Sequence, residues 1–148
     1  MTAAQVLAWK SQALIANMRQ QVLAPVLAIQ GYAEMLRDEA AREAPEMLPD
    51  LERIQQAARE FCEIAVRLLD PEGVSTLEGE DQAALQARIR HDLRNPLNAI
   101  KGYSEMLAED AAEQGARGLL PDLTRVLDET NRLLAEIETI VDFSRHSL

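Results

Sequence analysis

The chain has 148 residues, enough for one domain or two very small ones, and its 47% hydrophobic content can supply a core. Its formal net charge of −10 argues against nucleic acid as a partner, because an acidic surface is repelled by phosphates. No apolar run reaches the ~18–20 residues of a membrane span, and no signal peptide opens the chain. The single cysteine, Cys62, rules out a disulfide within the chain, and with it and two widely separated histidines we expect no metal site. We therefore predict a soluble, cytoplasmic protein without a bound metal.

Residues that favour helices dominate throughout, and no run alternates as a strand would, so the sequence predicts an all-α fold. Pro45 and Pro49 mark the first loop and the opening turn of the second helix, while Gly115 and Gly118 bracket the last turn. In chain order, the predicted helices run over about 3–42, 46–69, 81–114 and 119–146, with a linker from Asp70 to Glu80.

The third helix has an apolar seam, a stripe of residues on one face, at Leu85, Ile89, Leu93, Pro96, Ile100, Tyr103 and Leu107. It recurs 71 residues earlier in the first helix, at Leu14, Met18, Val22, Pro25, Ile29, Tyr32 and Leu36. The seam of the fourth helix, at Leu123, Val126, Thr130, Leu133, Ile137 and Ile140, recurs 72 residues earlier in the second helix. Eight of twelve residues are identical between 25–36 and 96–107. We interpret the chain as two copies of one antiparallel helical hairpin. One hairpin cannot bury its seam alone, so we expect a four-helix bundle, a pseudo-dimer within one chain. Its parts would be 1–70, a linker at 71–80, and 81–148.

Two further features of the helices bear on packing. Four of the five methionines are predicted to fill the core; they are Met18, Met35, Met47 and Met106. Gly31 and Gly102 each cost about 1 kcal/mol inside a helix. They either come from the ancestral hairpin and its packing or provide a flat surface for a docking partner.

The candidate for chemistry is His91, which is absent from the first copy. It lies two residues from Ile89 and two from Leu93, so at about 100° per residue it points away from the seam and outward. Asp92 follows it, and Asn95 lies one turn later on nearly the same face. Pro96 removes a backbone hydrogen bond and should bend the helix. An exposed imidazole beside a carboxylate suits proton transfer or nucleophilic attack.

The run His91-Asp92-Leu93-Arg94-Asn95-Pro96-Leu97, followed by Ile100, Gly102, Tyr103 and Leu107, resembles the phosphoacceptor box of bacterial sensor histidine kinases. That box belongs to their HisKA-type dimerisation and histidine-phosphotransfer domain, a helical hairpin that dimerises into a four-helix bundle. The resemblance extends over residues 81–146.

The resemblance implies a role for each residue of the box. His91 would be the phosphorylated histidine, Asp92 the acidic neighbour that assists it, and Asn95 the polar position associated with dephosphorylation of a partner. Pro96 would be the kink proline, with Arg94 beside the site. We expect a partner to dock on further residues of this helix, namely Arg90, Asn98, Lys101 and Gly102. The basic side chains of this region, which also include Arg88, either pair with helix carboxylates or attract phosphate and an acidic pocket.

The first hairpin resembles the same family in everything except chemistry. Gln20 stands where His91 stands, Gln21 replaces Asp92, and Ala24 replaces Asn95. A glutamine amide is not a usable phosphoryl acceptor. The first copy is therefore interpreted as a built-in dimer partner without an active site.

The sequence departs from the histidine kinases in one large respect, since these 148 residues contain no glycine-rich ATP-binding segment. We expect no autophosphorylation from ATP and no cofactor. His91 would instead shuttle a phosphoryl group to or from the aspartates of response-regulator receiver domains, which would bring Mg²⁺, or accept it from a separate histidine kinase. A monomer is favoured, although a homodimer remains open.

Two other interpretations remain. The chain could be a non-enzymatic decoy or dimerisation module that binds receivers or kinases and is indifferent to loss of His91. It could also be an excised fragment of a larger histidine kinase, because residues 141–145 resemble a point where such chains continue. Four-helix bundles host many functions, so the fold alone does not decide between these.

Overall fold

The computed structural model describes residues 2–75 and 80–147, and every regular element within them is a helix. This confirms the predicted all-α class. In chain order the elements are α1 (Ala3–Glu43), a 3-10 turn (Pro45–Met47), α2 (Leu48–Leu68), α3 (Pro71–Ser75), α4 (Glu80–Gln114), a second 3-10 turn (Arg117–Leu119) and α5 (Leu120–Ser147). Among these helices, none combines the length and the apolarity that crossing a bilayer requires.

The ends of the long helices follow from local sequence. Gly115 comes directly after α4 and has a φ of 80°, the left-handed conformation that glycine adopts without steric cost when a helix stops. Helices α2 and α5 open with the same four letters, Leu-Pro-Asp-Leu, at 48–51 and 120–123. Proline is tolerated in a first turn because the N–H that it lacks would have no partner within the helix.

The short helix α3 lies in the segment that the sequence predicts as a linker, where no helix was expected. Pro71 occupies its first position, where a fixed φ favours helix, and Asp70 precedes it as an N-cap residue type. α3 packs against α1. Of the rest of the predicted linker, Glu80 is the first residue of α4, and residues 76–79 lie outside the described residues.

The four long helices form a bundle in which each contacts two neighbours. α1 packs against α2 and α5, and α4 packs against α5 and α2. Going round the bundle, the order is therefore α1, α2, α4, α5, with α1 diagonal to α4. Short loops join α1 to α2 and α4 to α5, as expected for antiparallel neighbours.

The core lies along the predicted seams. In α2 and α5 all twelve predicted seam positions are buried; they are Leu51, Ile54, Ala58, Phe61, Ala65 and Leu68 in α2, and Leu123, Val126, Thr130, Leu133, Ile137 and Ile140 in α5. The seams of α1 and α4 are buried at most positions, while Leu14, Pro25, Tyr32 and Tyr103 are only half-buried. Each seam is wider than predicted, because Val26 and Leu97 are also buried.

The prediction that these four methionines fill the core was wrong for two of them. Met18 and Met47 are buried, whereas Met35 and Met106 are about half exposed. Each exposed methionine stands two positions after a buried residue, which turns it about 200° away from the core.

Two arginines form matching contacts between the hairpins. The Arg53 guanidinium on α2 lies 5.8 Å from the centre of the Tyr103 ring on α4. The Arg125 guanidinium on α5 lies 5.9 Å from the ring of Tyr32 on α1. Each arginine is held by an aspartate three residues earlier, with N–O distances of 2.6 Å to Asp50 and 2.7 Å to Asp122. Cation–π contacts of this kind operate within about 6 Å.

Candidate functional site

His91 lies on the outer face of α4, where the sequence analysis placed it. Its neighbours Ile89 and Leu93 are buried in the core, while the imidazole side chain is 75% exposed. The helix carries the ring outward because two residues turn it about 200° away from each apolar neighbour. The ring is therefore open to a reactive group on another molecule.

Asp92 orients the imidazole. Its Oδ1 lies 3.0 Å from Nδ1 of His91, within hydrogen-bond distance. An ionised carboxylate can only accept a hydrogen bond, so in the neutral ring this contact favours the proton on Nδ1. The Nε2 atom then carries the free lone pair. The arrangement presents Nε2 as a nucleophile on an exposed surface.

A shallow depression of about 340 Å³ lies beside the ring, formed by one face of α4. It is lined by Ala87, Arg90, His91, Arg94, Asn95 and Asn98. The structure thus brings together most of the residues predicted for catalysis and docking. Pro96 is buried on the opposite side, and α4 continues through it as one helix.

Two arginines of the depression pair with a carboxylate on the neighbouring helix. Arg90 Nε lies 3.4 Å from Glu138 Oε2, and Arg94 Nη1 lies 3.3 Å from Glu138 Oε1. Glu138 belongs to α5 and was missed by the sequence analysis, because nothing in the sequence of α5 shows which residues of α4 it faces. Only the expectation that the basic side chains pair with helix carboxylates pointed toward it.

The other two docking candidates lie farther along α4. Gly102 is exposed on the same face as His91, eleven residues or about 16 Å along the axis. A Cβ built on Gly102 would meet no atom within 4 Å, so close packing within the chain does not require the glycine. Lys101 is half-buried, and neither residue lines the depression.

The matching face of α1 lacks the imidazole, its carboxylate and the amide of the site. Gln20, Gln21 and Ala24 are all exposed at the positions 71 residues before His91, Asp92 and Asn95. Farther along, Leu27 and Met35 are also exposed, at the positions that correspond to Asn98 and Met106. The two hairpins therefore present faces of different chemistry on similar scaffolds.

Comparison with known proteins adds a family match for the second hairpin. No solved structure matches the chain significantly. Residues 81–147, which comprise α4 and α5 with the turn between them, match the family model of the His Kinase A (phospho-acceptor) domain. This match supports a HisKA-type domain in residues 81–147, and such a domain implies involvement in two-component histidine kinase signalling.

Proposed function

We propose that the protein is a histidine phosphotransfer component of a two-component phosphorelay, with His91 as the phosphoryl carrier. The observation that carries this proposal is the exposed imidazole whose Nδ1 is tied to Asp92, within the segment that matches the phospho-acceptor family. A histidine that only served packing would not need an oriented ring or an open face.

The proposed chemistry uses Nε2 as the nucleophile. Its lone pair attacks the phosphorus of an aspartyl phosphate on a receiver domain, the N–P bond forms, and the bond from phosphorus to the aspartate oxygen breaks. Asp92 stabilises the positive charge that develops on the ring through the Nδ1–H hydrogen bond. Mg²⁺ on the receiver would neutralise the negative charge of the phosphoryl oxygens. The reverse reaction returns the group to another receiver.

The remaining site residues have proposed supporting roles. Asn95 lies in the depression with His91, where its amide can reach a water or a phosphoryl oxygen. Arg90, Asn98, Lys101 and Gly102 would form the surface on which a receiver or a separate kinase docks. Arg94 and Pro96 shape the helix next to the ring. No cofactor of this chain enters the scheme.

We further propose that the phosphoryl group comes from another protein and that this chain has no ATP-dependent kinase activity of its own. The sequence supports this, since no glycine-rich phosphate-binding segment occurs in the 148 residues.

The two hairpins are proposed to be a duplicated unit, with residues 1–70 as a degenerate copy and 81–148 as the active one. Three features support this: the matching arginine–tyrosine contacts, the shared Leu-Pro-Asp-Leu starts, and the burial of equivalent positions in α2 and α5. In this interpretation α1 and α2 replace the second subunit of a dimer.

The test is phosphoryl transfer from a panel of receiver domains charged with acetyl phosphate. Acid-labile label is expected on the wild type and not on His91→Gln, which still contains His146 and so tests the position rather than the residue type. Circular dichroism would show that the variant keeps its helices. If both forms bind receivers and neither becomes labelled, the chain is a non-enzymatic binding module and the relay is wrong.

A matched control uses the first hairpin. The double variant Gln20→His/His91→Gln places an imidazole on the equivalent face of α1, where Gln21 stands in place of the carboxylate. We expect no label on it. Labelling equal to that of the wild type would show that the scaffold suffices and that Asp92 has no role.

A further inference from the structure

The arginine pair beside His91 has more positive charge than its partner neutralises. Arg90 and Arg94 share one carboxylate, Glu138, so the three side chains together carry a net charge of +1. Asp92, the nearest acidic residue in sequence, is hydrogen-bonded to His91. By helical geometry it lies on the other flank of the ring, since Arg90 and Arg94 are turned about 100° and 60° in the opposite direction.

The contacts within this trio are ion pairs that do not form hydrogen bonds. Both N–O distances exceed 3.2 Å, at 3.4 and 3.3 Å, and longer contacts of this kind are weak. Arg90 Nε and Glu138 Oε1 are buried atoms that find no hydrogen-bond partner within the part of the chain that the structure describes. Glu138 therefore compensates the arginines electrostatically without satisfying the Nε–H donor of Arg90. An anion with more oxygens could satisfy them better, because guanidinium groups match phosphate geometry.

The first hairpin provides an internal comparison. The residues 71 or 72 positions before Arg90, Arg94 and Glu138 are Arg19, Leu23 and Val66. The complete trio thus occurs only in the hairpin that has the histidine. A trio needed merely to join the two helices of a hairpin would be expected in both copies.

We propose that Arg90 and Arg94 form a binding site for a tetrahedral phosphate-type anion beside His91, and that Glu138 is the internal counter-ion that such an anion displaces. The inference deepens the proposed function, because a phosphoryl group on His91 is one anion of this kind. Binding of a free anion does not require the relay, however, and can be measured separately.

The first experiment titrates inorganic phosphate into the full chain at constant ionic strength and follows the arginine Nε–H and His91 ring signals by NMR. Saturable shifts of the Arg90 and Arg94 signals are expected in the wild type. Arg90→Gln/Arg94→Gln should lose saturable binding. Glu138→Gln should bind about threefold or more tightly, because it removes the competing charge.

Two controls match these changes in charge. Arg88→Gln removes one positive charge from the same helix on the Asp92 flank of His91, and Glu136→Gln removes one negative charge from α5 two residues before Glu138. Both should bind phosphate within about twofold of the wild type, as expected for screened charges outside the site. The site is overturned if Arg88→Gln weakens binding as much as the double variant does. It is also overturned if Glu138→Gln binds no more tightly than the wild type.

A second experiment tests whether a phosphoryl group covalently attached to His91 binds to Arg90 and Arg94. Phosphoramidate can phosphorylate imidazole directly: its P–N bond breaks, ammonia leaves, and a new N–P bond forms on the ring. With excess reagent removed, the Arg90 and Arg94 signals should shift in the wild type and stay unchanged in His91→Gln. Saturable phosphate binding without receiver transfer would leave the anion site standing and remove the relay. Receiver transfer without phosphate binding would remove the anion site alone.

Discussion

Ser104 is a polar residue in an otherwise apolar part of α4. It is fully buried, and its Oγ has no hydrogen-bond partner among the described residues. Alanine stands 71 residues earlier, at the buried Ala33. We expect Ser104→Ala to raise the free energy of unfolding by about 1 kcal/mol, because it removes an uncompensated hydroxyl and improves helix propensity. Urea denaturation followed by circular dichroism measures this.

The reverse change, Ala33→Ser, serves as the control. It places a hydroxyl at the equivalent position of α1 and should lower the free energy of unfolding by a similar amount. A loss of stability in Ser104→Ala would mean that the hydroxyl makes a favourable interaction.

Cys62 gives a prediction about reactivity. Burial raises the pKa of its thiol, and the negative charge of Glu63 raises the pKa further. A higher pKa lowers the thiolate fraction at a given pH, so alkylation by iodoacetamide at pH 8 should be slower in the folded chain than in urea. The rate in the folded chain should keep rising with pH beyond the ordinary thiol pKa. Equal folded and unfolded rates, corrected for denaturant, would contradict this.

At the scale of single residues, the sequence predicts which way a side chain points better than it predicts which residue that side chain contacts. The exposure of His91 follows from its distance to Ile89 and Leu93, because helical rotation is regular. The pairing of Glu138 does not follow, since it depends on how α4 and α5 sit against each other. Met35 and Met106 were misassigned because hydrophobicity was given more weight than their position on the helix.

At the scale of helices, the two exposed glycines make a matched pair. Gly31 and Gly102 occupy equivalent positions on α1 and α4, and a Cβ on either would meet no atom within 4 Å. Both Gly31→Ala and Gly102→Ala should therefore raise the free energy of unfolding by about 1 kcal/mol. Thermal unfolding of the two variants measures this.

The two glycine variants also distinguish a packing role of Gly102 from a docking role. If Gly102 provides a flat surface for a receiver, Gly102→Ala should slow phosphoryl transfer despite its greater stability, whereas Gly31→Ala should leave transfer unchanged. Equal transfer rates in both variants would show that the glycine has no part in docking.

The helices themselves were predictable because their signals are local. Seams of apolar residues, prolines in first turns and Gly115 at a helix end fix where helices form and stop. Helix α3 was missed because it has only five residues, too few for a periodic pattern. Its start, Asp70-Pro71, is a helix N-terminal signal that was interpreted only as a break.

At the scale of the whole molecule, the two hairpins bury their seams against each other within one chain. We expect a monomer, so sedimentation equilibrium should give 16.5 kDa independently of concentration. Joining the two halves makes their association intramolecular, which removes its dependence on protein concentration. A mass twice as large would indicate that hairpins exchange between chains.

The all-α class was predictable from composition and periodicity, and the pairing of α1 with α2 and of α4 with α5 from the short loops. What the sequence could not provide was the relation between helices that are distant in the chain. The contacts of Arg53 with Tyr103 and of Arg125 with Tyr32 are examples, since they join residues about 50 and 93 positions apart.

The presence of His91 in one hairpin only has a consequence for how a signal would be transmitted. A symmetric pair of hairpins would offer two equivalent acceptors, and occupation of one could alter the other. In the proposed relay His91 is the one acceptor of the chain, so there is no second site through which cooperativity could arise. Its response to a charged receiver should be hyperbolic, with a Hill coefficient of about 1. The molecule would then pass on its input in a graded way and leave any threshold to its partners.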